Sequence, residues 1–211
     1  LNADLANGRK VDAADQFGDI LRLRVGRCEG ADAAPALLGE DNAIDRHALD
    51  AQPALCGFES TSLPLRGATV PLRWQSGRHA RLQEDDVDDS GGLIFQLPSR
   101  AGPAAIARAL HDFYEGQARA DIGLWLPRYL PELPRAPRQF RFRQMSSQWG
   151  SLAPGGTVAL DLSLILARPS AFEYVLVHEL CHLLHADHSR RFWGEVERRF
   201  PGWRAERDYF R

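Results

Sequence analysis

Hydrophobic and polar positions fall into clear periods only from about residue 63 onward. Over 68–74, ATVPLRW alternates as a strand does. GLIFQLP (92–98) reads as a returning strand after the acidic stretch EDDVDDSGG (84–92), whose Asp-Ser-Gly-Gly end suits a hairpin. Pro103 is placed for the first turn of a helix. Beyond it Ile106, Leu110, Phe113, Tyr114 and Ala118 recur near one face, which predicts an amphipathic helix of more than ten residues. YLPELPRAP (129–137) is a proline-rich connection. QFRFRQM (139–145) and TVALDLSLIL (157–166) alternate and predict strands, with WGSLAPGG (149–156) as the turn between them. Ser170 follows Pro169, and Glu173 stands three residues on, the pattern of a capping box. The helix it opens carries Phe172, Val175, Leu176, Leu180, Leu183 and Leu184 and reaches about His185. SRRFWGEVERRF (189–200) predicts another helix that Pro201 ends, with a short amphipathic tail behind it. The expected class is α+β: a small, mainly antiparallel sheet with helices packed on one side.

The first 62 residues differ. They are rich in Ala, Asp and Gly, and ILRLRV (20–25) is their one strand-like piece. They read as an irregular N-terminal extension, 1–62, before a domain spanning 63–211. At 211 residues and 44% hydrophobic content the chain can bury a useful core. A net charge of −2 and a pI near 6.4 argue against nucleic acid as a general partner. The basic RQFRFR (138–143) is better read as a strand with one wet face. Three cysteines, Cys28, Cys56 and Cys181, do not make a disulfide framework and fit a reducing compartment. No apolar run is long enough for a membrane span, and no basic-then-apolar start resembles a signal peptide, so the expected location is cytoplasmic.

Four of the seven histidines crowd into VHELCHLLHADHS (177–189). His178-Glu179-Leu180-Cys181-His182 is an HExxH pattern. Residues four apart share a helix face, so two imidazoles can meet one Zn²⁺. Glu179 lies roughly 100° round the helix from His178, beside such an ion rather than on it. There it can take a proton from a water held at the site. Burying two histidines and a glutamate without partners is costly, and a metal satisfies them better than packing alone. A catalytic zinc takes three protein ligands. His185 shares the face of His178 but lies about 10 Å further along an unbroken helix. His188 can swing back if the chain turns at Ala186-Asp187, which gives HExxH-x5-H. His188 is therefore the expected third ligand, His185 a packing or supporting residue, and Glu195 and Glu197 the fallbacks. Cys181 points away from the histidine face and reads as a small buried apolar residue.

QMSSQWGSL, followed by VALDLSLILARPSAFEYVLVHELCHLLHADHSRRFW, resembles the YgjP-like family of zinc metallopeptidases. The resemblance covers roughly 64–211 and is strongest over 143–193. It implies a zincin-like fold, with an active-site helix carrying HExxH. It implies His178, His182 and His188 as zinc ligands, Glu179 as general base, and a peptide or protein substrate. The family commonly has basic residues just before the Trp of the WGS turn and a Cys after its Ser. Here those positions read Ser146, Gln148 and Leu152, while Arg143 keeps a basic residue in the approach. In zincins an extended peptide often lies along an edge strand above the helix, and 157–164 is the candidate. Trp149 lines the cleft or the core, and Ser151 is a turn residue. Two other readings stand beside the hydrolase: a zinc-stabilised, non-catalytic protein-binding module, and a SprT-like peptidase acting on DNA-associated proteins.

Overall fold

The computed structural model describes residues 55, 57–85, 91–145 and 147–210. The N-terminal strand expected at 20–25 and most of the 1–62 extension lie outside them, as does the centre of the acidic turn. Among the described residues the chain forms seven strands and four helices. Strands β1 (Ser62–Leu65), β2 (Ala68–Ser76), β3 (Arg81–Glu84) and β4 (Leu93–Leu97) make a sheet of order β1-β2-β4-β3. Helix α1 (Pro103–Tyr129) follows, then β5 (Gln139–Arg143), β6 (Gly150–Leu152) and β7 (Thr157–Asp161) in a second sheet of order β5-β7-β6. Helices α2 (Pro169–Cys181), α3 (Arg190–Arg199) and α4 (Trp203–Tyr209) complete the fold.

The architecture is mixed α and β, as expected, but it has two small sheets and each contains one parallel pair. β2 runs parallel to β4, and β5 runs parallel to β7. The acidic hairpin is real: β3 and β4 pair antiparallel across it. The segment 149–156 is not a plain turn. Its first part is β6, which pairs antiparallel with β7. Only 153–156 turns, closed by Ala153 N–H to the Thr157 carbonyl at 2.9 Å.

One hairpin joins the two halves. Arg66 and Gly67, at the β1–β2 turn, both have positive φ, +50° and +76°, as a two-residue hairpin of this hand requires. Their N–H groups donate to the carbonyls of Ile165 and Leu166, each at 2.9 Å. A side chain at Gly67 would meet the Arg168 backbone at 3.2 Å, so the turn seats directly on the chain entering α2. Helix α1 lies across the join. Its Tyr114 hydroxyl donates to the Pro64 carbonyl at 2.8 Å, and its Asp121 accepts from Arg66. The stripe Ile106, Leu110, Tyr114 and Ala118 is buried as its spacing predicts, and Ile122, Trp125 and Tyr129 extend it. Trp125 meets Phe172 of α2 edge-on, with ring centroids 5.3 Å apart.

Two local expectations fail for identifiable reasons. Strand β7 stops at Asp161 because that side chain accepts from Ser163 N–H at 2.9 Å and caps a 3-10 turn, Leu162–Leu166. The capping box at Ser170 and Glu173 does not form. Pro169 occupies the first helical position, where a missing N–H costs nothing, so Arg168 is the cap. Glu173 instead accepts from the Tyr129 hydroxyl at 2.6 Å and pairs with Arg128.

Asp161 is only 3% exposed and ties three points together: Met145 N–H at 2.8 Å, Ser163 N–H and the Ser163 hydroxyl. Asp161→Ala would leave two buried N–H groups without an acceptor, at about 1–3 kcal/mol each. Urea unfolding should show a loss in that range or above, with Asp161→Asn losing less because it keeps an acceptor oxygen.

Candidate active site

Helix α2 ends earlier than its apolar pattern suggests, and the site depends on this. The helix closes at Cys181, with His182 as its C-cap. The last turn tightens: His182 N–H reaches the Glu179 carbonyl at 3.2 Å, and the Leu184 and His185 N–H groups share the Cys181 carbonyl at 3.0 Å. The His182 Nδ1–H then donates to the His185 carbonyl at 3.0 Å. That bond fixes the ring and leaves Nε2 as its free nitrogen. Beyond it the chain swings back through 186–187, and Ser189 caps α3.

The return places His188 over the helix. Its ring centroid lies 5.0 Å from that of His178 and 4.8 Å from that of His182. The Nε2 atoms of His178 and His188 face each other at 3.0 Å. One nitrogen from each of His178, His182 and His188 lies within 4.8 Å of the other two. His185 contributes its carbonyl rather than its ring. Glu195 and Glu197 are committed elsewhere: Glu195 pairs with Arg198 and Arg199, while Glu197 accepts from Trp203 Nε1 and pairs with Arg204.

The donor set fits a metal ion. Burial, with His182, His188 and Arg207 as neighbours, lowers the His178 pKa to about 3. Burial lowers His188 as well. Neutral imidazoles are the form that binds metal. His178 turns its Nε2 toward His188, while its Nδ1 is buried without a hydrogen-bond partner. Phe192, fully buried, stacks on His182 at 4.6 Å and meets His178 and His188 edge-on at 4.9 and 4.8 Å. This ring holds all three imidazoles from below.

Glu179 stands beside them, 5% exposed, and burial pushes its carboxyl up to about 8. It is held on its other side by Gly150 of β6. A Cβ at Gly150 would sit 2.8 Å from Glu179 Cγ and Oε1. Cys181 is free and fully buried, and burial pushes its thiol up to about 11, as suits an inert core residue.

A cleft of about 770 Å³ opens over this cluster. One wall is β6 and its flanks, including Gln148, Trp149, Ser151 and Leu152. The expected edge strand at 157–164 is instead the centre of its sheet, because β5 joins it in parallel on the far side. The edge above α2 is β6. Asp161 N–H donates to the Trp149 carbonyl and Ala153 N–H to the Thr157 carbonyl. By the alternation of an antiparallel ladder, the peptide groups of Gly150 and Leu152 face away from β7. Ser151 lies within the strand rather than in a turn. Trp149 lines the cleft and packs on Phe210 at 4.8 Å. Arg143 is exposed on β5 and Ser146 lies outside the described residues.

The other wall was missed in the sequence. It includes Tyr174, Arg207 and Phe210. Tyr174 had a signal, since it precedes His178 by one helical turn. Arg207 and Phe210 had none, because only the packing of α4 against α2 brings them there.

Three histidines that could hold a metal ion thus stand beside a buried glutamate under an open cleft. The model of the YgjP-like family, described as a metallopeptidase domain, matches residues 42–211. The chain belongs to the YgjP-like metallopeptidase family. Among solved structures, the metallopeptidase zymogen abylysin of Pyrococcus abyssi is 26% identical. The match covers 47% of this chain and 87% of that one, with a TM-score of 0.32. No curated protein matches. Among the described residues no helix is long and apolar enough to cross a membrane.

Gly150→Ala would drive its methyl group into the Glu179 carboxylate. The expected outcome is a folded protein with unchanged metal content and peptidase activity lowered by about 10- to 100-fold, the scale of a displaced catalytic group. Elemental analysis alongside peptide hydrolysis checks both halves.

Proposed function

We propose that the chain is a zinc-dependent peptidase acting on peptide or protein substrates. The observation that carries this reading is the convergence of three histidines beside one buried glutamate at the floor of an open cleft. His178, His182 and His188 would hold the ion, and imidazole ligands favour zinc. Zinc, when bound, supplies Lewis-acid polarisation of the scissile carbonyl and makes water a better nucleophile at neutral pH.

The protein's own groups do the rest. Glu179, in the ionised form that a cation beside it would favour, takes the proton from the attacking water and passes it to the leaving amine. Gly150 keeps its carboxylate in place by leaving room for it. The outward peptide groups of Gly150 and Leu152 offer a donor and acceptor edge to which an extended substrate backbone can add as a further strand. Trp149 and Phe210, packed on each other, give the cleft an apolar flank that sheds water when substrate binds.

Glu179→Gln should abolish hydrolysis while the protein keeps its metal. His188→Ala should lose the metal, whereas His185→Ala should keep it, because His185 acts through its backbone carbonyl. Elemental analysis of the three purified variants, with a peptide-library assay of each, checks this. Hydrolysis surviving Glu179→Gln would overturn the mechanism.

A further inference from the structure

The charges that line the cleft are unbalanced. Its cationic side chains are Arg135 and Arg207, and the three histidines stand on its floor. Among the described residues Glu179 is the only acidic one in the lining. A bound divalent cation adds to the same sign. Arg135 is tied to the structure, since its Nη2 donates to the Pro154 carbonyl at 3.1 Å. Arg207 is not.

The arginines around Arg207 are committed to carboxylates. Arg168 pairs with Glu206, Arg198 and Arg199 pair with Glu132 and Glu195, and Arg204 pairs with Glu197. Arg207 is exposed and has no carboxylate partner among the described residues. It is nonetheless positioned. Its guanidinium carbon lies 4.9 Å from the Trp193 ring and 5.8 Å from the Trp203 ring. Those two indoles stack on each other at 4.3 Å. The Trp193 ring is in turn 5.7 Å from His178 and 5.8 Å from His188. A flat aromatic shelf thus holds one uncommitted guanidinium beside the histidine cluster, at the wall facing β6. Stacking costs the guanidinium none of its donors, which stay free for a bidentate partner.

We infer that Arg207 is a carboxylate-binding residue of the cleft, so that preferred substrates carry an acidic side chain or a free C-terminal carboxylate close to the scissile bond. The inference rests on the peptidase reading of this cleft. The outward peptide groups of strand β6 match any extended chain, so Arg207 supplies a charge selection that they do not. A carboxylate is the ligand that matches a guanidinium fork in a peptide, and among the described residues no carboxylate is paired with Arg207.

The test is binding to the zinc-loaded Glu179→Gln protein, followed by fluorescence anisotropy. The probes are labelled Ala/Ser octapeptides in two matched series. One series exchanges a single Asp or Glu for Asn or Gln along the peptide. The other exchanges a C-terminal acid for its amide. The acidic member of at least one series should bind about 10-fold tighter or more, the scale of a charge-assisted pair. The series that shows the preference assigns the source of the carboxylate. Adding Arg207→Gln should abolish the preference, Arg207→Lys should keep part of it, and Arg207→Glu should shift it toward Lys-bearing peptides. Equal binding of acid and neutral probes, a preference that survives Arg207→Gln, or no binding of any acidic probe would each overturn the inference. The readout is binding, so absence of turnover by the unsubstituted protein, which would overturn the peptidase reading, is a separate result.

Discussion

The hydrogen bond from His182 Nδ1–H to the His185 carbonyl is the constraint on which the site depends. An α-helix carries residues 178 and 182 on one face but cannot bring a third imidazole to the same level. The chain must stop, turn and come back within six residues. The bond at 3.0 Å closes that turn and at the same time sets the tautomer of His182. The same contact therefore defines the backbone path to His188 and the nitrogen that His182 presents. Glu179 inherits its place from this geometry, since it lies in the last intact turn of α2.

Assembling these groups is expensive, and the surrounding packing offsets the cost. Two imidazoles are held neutral by burial, and a carboxyl group lies among apolar atoms. On the opposite face of α2, Leu176, Leu180 and Cys181 are completely buried, which anchors the helix in the core. Phe192 anchors the site from α3 and is itself fully buried. The tightest fit is at Gly150, where the absence of a side chain lets strand and carboxylate touch. The helix, the return and the strand thus depend on one another at a few atoms, through contacts of 5 Å or less.

Much of this was legible in the chain. HExxH on an apolar helix pointed to the histidines and to Glu179, and a turn at Ala186-Asp187 pointed to His188. The strands at 68–74 and 92–98 and the long helix from Pro103 followed from period alone. Some of the failures come from residues far away in sequence and one from a local cap. Glu173 could not cap its own helix while Tyr129 and Arg128 claimed it from 44 and 45 residues away. The alternation through 157–166 was genuine, yet Asp161 diverted its second half into a 3-10 turn. That β7 is central rather than an edge follows from parallel pairing with β5, and period does not reveal pairing. Arg207 had no local signal, because its position comes from α4 lying against α2.

The two walls of the cleft divide their work by chemistry. The β6 wall presents peptide groups, whose spacing matches any extended chain whatever its sequence. The α4 wall presents side chains on a short helix near the end of the fold, fixed by Arg168–Glu206 and by the Trp193–Trp203 stack. Neither of these contacts includes a histidine of the cluster or Glu179. A change of side chain at 207 alters the charge in the cleft and removes one of the neighbours that lower the His178 and His188 pKa values. A change at Gly150 acts on the site directly, because the atoms nearest to an added Cβ all belong to Glu179. The strand above the glutamate is thus held to one residue type by the space available.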